Sequence, residues 1–326
     1  MREILVKSED STNPEHGKSP EKRTISEHIE RGMVNLDKPS GPTSHQVSSW
    51  VKGVLSVGRA GHSGTLDPKV TGVLPVGIEK STKVLGALLL AGKEYVILMH
   101  LHDDVLEERA RAVVESFRGI IYQKPPLKSA VKRRVRKREI YGLEIIEAEG
   151  RDILFRVNCE AGTYIRKLCH DIGLILGCGA HMQELRRTRS GSFDESSIVT
   201  LHGLKDAYEL YKEGDESKLR QCIQPIEAAV SHIGKIWLKD GAVDAICHGA
   251  TLKAPGISKL DACIKPGDVV ALMSLKGELV ATGQCLKSSQ EIMGMKSGEV
   301  VKTDAVFMEA GTYPKGWKSK AVAEEF

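Results

Sequence analysis

Gly61-His62-Ser63-Gly64-Thr65-Leu66-Asp67-Pro68-Lys69-Val70-Thr71-Gly72-Val73-Leu74 is the stretch on which the reading of this 326-residue chain turns. Glycines on both sides of Asp67 let backbone approach a ligand closely, and Pro68 stiffens the turn. A carboxylate so placed is a candidate nucleophile, base or metal ligand. It is equally an ordinary turn aspartate, and these residues alone leave the choice open.

Working outward, residues 33–36 predict a short strand. Ser44 predicts a helix N-cap, followed by Val47, Trp50, Val51 and Val54 on one apolar face. After the glycine-rich turn, residues 73–78 and 95–99 predict buried strands. Leu106, Ala110, Val113, Val114 and Phe117 predict a helix closed by Gly119. Residues 153–159 alternate as a half-buried strand does, and Tyr164, Leu168, Ile172 and Leu176 line one side of a further helix. Strands and helices mix without a regular βαβ rhythm, so the expected class is α+β with a mixed sheet. From His232 the rhythm changes to short strands between Gly/Pro turns, such as Ala254-Pro255-Gly256, which predicts a small C-terminal β-barrel. The expected organisation is a polar tail over 1–31, a catalytic domain over 32–231, a barrel over 232–311 and a tail over 312–326. The first segment is expected to be a candidate for packing on the barrel.

Composition sets limits. Apolar content of 41% supports real cores, and charged content of 28% is ordinary. No run approaches a membrane span, and the polar N-terminus lacks an apolar signal core, so a cytoplasmic protein is expected. The seven cysteines are scattered without a CxxC pair, which predicts neither a disulfide framework nor a zinc ribbon. His100-x-His102 with Asp103 and Asp104 is read as an exposed strand end, and no metal is expected. Net charge is only +4, but Lys132 to Arg138 holds six cations in seven residues and Arg186-Arg187-Thr188-Arg189 adds three. Such blocks suit a phosphate backbone or a solvated basic loop.

Five ordered segments then carry a resemblance. They are residues 35–44 (Asn-Leu-Asp-Lys-Pro-Ser-Gly-Pro-Thr-Ser), the 61–74 stretch, Gly92-Lys93-Glu94-Tyr95, Ala161-Gly162-Thr163-Tyr164-Ile165-Arg166 with Asp171, and residues 184–189. Together they resemble the TruB family of pseudouridine synthases, most closely the dyskerin-type branch that serves box H/ACA ribonucleoproteins. The resemblance covers about residues 32–311, and the barrel is similar to a PUA RNA-binding domain.

That resemblance implies a catalytic Asp67, an Arg166 that pairs with it, and a Tyr95 that stacks on a flipped uracil and whose hydroxyl helps to move the C5 proton. It implies that His62 fills the gap left by the flipped base. Tyr164 and Leu185 are expected at the uracil pocket. Lys38, beside Pro39, is expected near the RNA or as a brace for the catalytic loop. Gly249, Pro255 and Gly256 are expected at the RNA face of the barrel, or simply as tight turns. No cofactor is implied, since the isomerisation needs neither redox change nor phosphate energy. The implied partners are a box H/ACA guide RNA, a substrate rRNA or tRNA, a kink-turn-binding protein and the two small H/ACA core proteins. The alternatives are a stand-alone tRNA pseudouridine-55 synthase and a non-catalytic RNA-binding scaffold. Intact Asp67, Tyr95 and Arg166 speak against the scaffold. Residues 122–132 and the barrel type resemble the guided branch.

Overall fold

The computed structural model describes residues 2–125 and 132–316. The middle of the 122–132 stretch and most of the expected C-terminal tail lie outside the described residues. The chain divides into two compact units, one spanning 33–224 and the other joining 2–32 to 225–316.

The first unit is built on a ten-stranded mixed sheet. Eight strands run in the order Ile223–Pro225, Gly32–Lys38, Thr71–Ile78, Ala180–Ser190, Lys93–Leu101, Asp152–Cys159, Arg136–Glu149, Gly119–Gln123, and two more lie off this path, Ala60–His62 on Thr71–Ile78 and Phe193–Asp194 on Ala180–Ser190. Thr71–Ile78 and Ala180–Ser190 run parallel, with Gly72 opposite Arg187. Lys93–Leu101 lies antiparallel to Ala180–Ser190, with Tyr95 opposite Arg187 and Ile97 opposite Leu185. One face of these strands buries Ile97, Met99, Phe155 and Val157 against Leu168, Cys169 and Ile172 of the helix Ile165–Leu176. Gly177 ends that helix at φ +82°, a left-handed position glycine takes without strain. The expected α+β class holds.

Three local expectations need correction. The helix Ser44–Val54 is capped by Thr43 rather than Ser44: Thr43 Oγ1 accepts from Gln46 N and Gln46 Oε1 accepts from Thr43 N, a reciprocal box. Its buried face is Val47 and Val51, whereas Trp50 is exposed. Leu106 is exposed just outside the helix Glu107–Ser116, and Gly119 opens the next strand instead of closing the helix.

The second unit carries a seven-stranded sheet around a core that includes Ile236, Leu238, Leu260, Leu272, Val280 and Val301. Residues taken for a polar tail take part in it. Ile4–Val6 is a strand paired with Ile257–Asp261, and Leu5 packs against the core. Further along, Lys276 Nζ donates to the carbonyls of Pro14, His16 and Gly17. Glu278 accepts from Lys18 N at 2.9 Å, and Arg23 forms a two-bond pair with Glu227 at 2.9 and 2.7 Å.

Candidate active site

Asp67 sits on the loop between the strands Ala60–His62 and Thr71–Ile78, and several groups hold that loop from beneath. Ser44, freed from capping, both accepts from Leu66 N (2.8 Å) and donates to Leu66 O (3.0 Å). Gly41 N donates to Pro68 O at 2.9 Å, and Val70 N closes a turn on Asp67 O at 3.0 Å. Lys38 is fully buried, and its ammonium donates to the carbonyls of Pro39 (2.9 Å), Pro68 (2.9 Å) and Val70 (2.8 Å). All three of its protons are therefore used. Burial pushes this ammonium below its usual range, and the nearby Asp67 carboxylate pulls it back up. Lys38 therefore braces the loop and is not available to RNA.

Arg187 supports the other side of the loop. It is only 1% exposed, and its guanidinium donates to Val73 O (2.7 Å) and Gly64 O (3.1 Å). Gly72, at φ +101°, rests on the Arg187 backbone so closely that a Cβ would meet its carbonyl oxygen at 2.2 Å. Glycine is required there by both conformation and space. The second basic block is thus spent internally. Arg186 bonds Asp37 and Glu195, and Arg189 lies 3.6 Å from Glu94. Ion pairing within the fold thus replaces both readings that the charge count left open for this block, a phosphate partner and a solvated loop. Lys132, Arg133 and Arg134 of the first block are exposed.

The Asp67 carboxylate forms an ion pair with Arg166 in the first turn of Ile165–Leu176, across 99 residues of sequence. The pair is open to solvent, with side chains 50% and 64% exposed. Tyr95 is half-buried and lies opposite Arg187 across the strand pair. Burial pushes that phenol up, Arg187 draws it down, and the Asp67 charge raises it further, so all three groups share one field. Leu185 is half-buried against the core beside Tyr95. Tyr164 caps the Arg166 helix with its backbone tied to Gln123 through bonds of 2.9 and 3.1 Å. His62 is half-buried with Nδ1 shielded and unpartnered, and burial, His45 and Arg187 together hold its imidazole below the usual range.

Lys93 and Arg187 lie inside quoted motifs but received no role from the sequence. Lys93 is buried, and its ammonium donates to the carbonyls of Leu88 (3.1 Å), Leu89 (2.7 Å) and Ala91 (2.6 Å). Burial and then Arg187 bring it down to about 8. The signal was strand alternation, which puts Lys93, Tyr95 and Ile97 on one face. His100 bonds Asp152 and His102 bonds His181, and the described residues contain no three-residue group that could hold a metal. In the barrel unit, Gly249 (φ +82°) and Pro255 lie at exposed turns. At Gly256 a Cβ would meet Ala242 Cβ at 2.9 Å, so that glycine serves close packing. Among the described residues, no helix is long and apolar enough to cross a membrane.

The solvent-open Asp67–Arg166 pair thus stands on a loop held from beneath by the buried cations Lys38 and Arg187. Residues 52–165 match the TruB family pseudouridylate synthase N-terminal domain, and residues 166–231 the tRNA pseudouridylate synthase B C-terminal domain. Residues 234–307 match the PUA domain and residues 1–48 the DKCLD domain. A "Probable tRNA pseudouridine synthase B" of Methanosarcina barkeri is 57% identical, over 99% of this chain and 96% of the relative. A protein of the same name from Pyrococcus abyssi is 58% identical over 97% and 96%. A chain in a Cbf5-Nop10-Gar1 complex superposes with TM-score 0.93 at 57% identity, covering 97% of each chain. A chain in an H/ACA RNP bound to a substrate RNA containing 2'-deoxyuridine gives 0.91 at 55%, covering 97% of this chain and 98% of that one.

Proposed function

This chain belongs to the TruB family of pseudouridine synthases, and from that premise we propose that it isomerises target uridines as the catalytic subunit of an RNA-guided H/ACA particle. The observation that carries the catalytic part is the exposed Asp67–Arg166 pair on a loop braced by Lys38, Ser44 and Arg187. The target uridine leaves its stack, because a stacked base hides the glycosidic carbon. Asp67 then acts at the sugar C1′ or the base ring, with Arg166 fixing the carboxylate's orientation. Tyr95 faces the flipped uracil and moves the C5 proton. Leu185 and Tyr164 wall the pocket, and His62 occupies the space the base vacates. The protein works in the cytoplasm.

The guided reading is supported by similarity, along nearly the whole chain, to proteins solved within H/ACA assemblies. Its partners are then a guide RNA, a kink-turn-binding protein and two small core proteins of the kind named Nop10 and Gar1. The exposed turns at Gly249 and Pro255 are proposed to meet the guide. A second reading, direct action on tRNA, is favoured by the names of the curated relatives.

Two experiments test these readings. Asp67→Asn is expected to abolish isomerisation while guide binding persists, and joint loss of both would make the residue structural. Sequencing RNA bound to the purified protein separates the substrates. Hairpins ending in ACA support guidance, and tRNA alone supports stand-alone action.

A further inference from the structure

An ion pair as exposed as Asp67–Arg166 does little to hold its own geometry, so the backbone under each partner must aim it. The Asp67 loop has its supports in Ser44, Lys38 and Arg187. Arg166 is the second residue of the helix Ile165–Leu176, and the N-cap residue Tyr164 makes no side-chain cap bond. Thr43 and Thr200, by contrast, cap other helices of this unit with their own hydroxyls. Here the hold comes from 41 residues away in sequence. Gln123, the last residue of the strand Gly119–Gln123, is only 2% exposed. Its Oε1 accepts from Tyr164 N at 2.9 Å, and its Nε2 donates to Tyr164 O at 3.1 Å. One side-chain amide thus grips both polar groups of a single backbone residue, which fixes that residue in rotation as well as in place. A buried amide costs free energy unless its bonds are made, and an apolar side chain would fill this space without them. Asparagine is one methylene shorter, and an ionised glutamate has no proton to donate. The turn before Tyr164 has separate ties to the strand Arg136–Glu149. Glu160 N donates to Glu139 O (2.8 Å), Glu139 N to Glu160 Oε2 (3.1 Å) and Arg138 Nη1 to Glu160 Oε1 (3.3 Å). These ties keep the segment in place without Gln123, whose own bonds fall on the residue that leads into the helix.

We propose that Gln123 is a positioning residue for the isomerisation: its amide fixes the Tyr164 backbone and through it sets the Arg166 guanidinium on Asp67. This rests on the reading of the Asp67–Arg166 pair as the catalytic centre. Without the amide the ion pair still forms, but the first turn of the helix is free to shift and the carboxylate is held in a wider range of orientations. A carboxylate that wanders at the reacting carbon slows the chemical step. The grip on the target RNA, spread over many other groups, is untouched. The effect therefore falls on the rate of chemistry and not on target affinity.

The test uses the full chain assembled with guide and target, with single-turnover rate and target affinity measured separately. Gln123→Met keeps the side-chain length and removes both bonds. It is expected to slow isomerisation by roughly 10–100-fold, the effect of a small misplacement at a reacting centre, with affinity unchanged. A double-mutant cycle with Arg166→Met reads whether the effect passes through Arg166. Once Arg166 is replaced, Gln123→Met should cost little more. Losses that simply multiply would make Gln123 a general support of the fold and overturn the proposal. Gln123→Glu gives a second readout, which decides the matter where Arg166→Met is too slow to measure. Ionised, this side chain sets an oxygen against Tyr164 O; protonated, it restores both bonds. Burial favours the protonated form, so the rate relative to wild type should recover as pH is lowered from about 8.5 to about 5.5. A ratio that does not change with pH overturns the proposal. Arg166→Met alone separates the two levels of inference: wild-type turnover in that variant removes the reading of the ion pair and this proposal together. A slow Arg166→Met with multiplying losses, or with a flat Gln123→Glu ratio, removes the proposal alone.

Discussion

Beneath the Asp67 loop the buried charges are Lys38, Lys93 and Arg187, whereas the barrel unit buries Asp244, Asp261 and Glu278, with Arg23 paired to Glu227. The partners differ in kind as well as sign. The cations of the catalytic unit donate to backbone carbonyls where the chain turns sharply. The carboxylates of the barrel unit collect amide and hydroxyl donors: Asp261 from Lys235 N (2.9 Å), Asp244 from Gly311 N (2.8 Å), Glu278 from Lys18 N, Ser274 and Tyr313. In the first case charge shapes a loop that carries a solvent-open ion pair. In the second it ties a terminal segment to a barrel. The same physical device, a buried ion surrounded by backbone dipoles, shapes the Asp67 loop in one unit and assembles the fold in the other.

Removing the central cation should break the comparison most forcefully. Lys38→Met strands three carbonyls, which at about 1–3 kcal/mol each predicts a loss of at least 3 kcal/mol in the catalytic unit. The loop shift lowers isomerisation by roughly 100-fold, the effect of a small misplacement at a reacting centre. Urea unfolding and single-turnover rates check both, and full activity in the variant would show that the buried charge has no part in shaping the loop. The matching change in the barrel is Glu278→Leu, which leaves Lys18 N and the Tyr313 and Ser274 hydroxyls without their acceptor. About 3 kcal/mol of barrel stability should go, with early protease cleavage in residues 12–23 and an intact catalytic step on a pre-bound target. Next in size is Gly72→Ala. Its methyl collides with the Arg187 carbonyl at a positive φ, so about 2 kcal/mol is lost. Because Arg187 moves with it, turnover should fall by more than stability alone explains; a loss of stability with unchanged turnover would separate the two.

What was legible of the candidate site came from the ordered motifs that carry the family resemblance, since the residues around Asp67 alone left its role open. Asp67, Tyr95 and Arg166 stand in motifs, and the structure brings Asp67 and Arg166 together across 99 residues. The supporting cations were harder. Lys93 and Arg187 are charged residues in a strand, and charge counting sends such residues to the surface, although alternation with Ile97 and Leu185 placed them inside. The block at 186–189 misled for the same reason: composition sees three cations and not the carbonyls and carboxylates that use them. Local periodicity recovered the strand at 153–159 and the helix ending at Leu176. It missed Ile4–Val6, since three apolar residues make no pattern and their partner strand lies some 250 positions away.

The least effect is expected from pH, and it tests the sign of the catalytic unit's interior charge. Lys93 is held at about 8 when folded against an ordinary 10.5 when unfolded. Below pH 8 both states carry the proton, and the folded state bears the whole cost of a buried ammonium beside Arg187. Between 8 and 10.5 the unfolded chain keeps its proton while the folded one sheds it, so the unfolded state binds more protons and stability rises with pH. From pH 7.5 to 9.5 the wild type should gain about 1–2 kcal/mol relative to Lys93→Met, read as the difference between their urea midpoints at each pH. Referring each pH to the variant cancels the thiols and phenols common to both chains. A difference that stays flat means the ammonium is as comfortable folded as unfolded, and the surplus of positive charge beneath Tyr95 is then smaller than the burial of Lys93 and Arg187 requires.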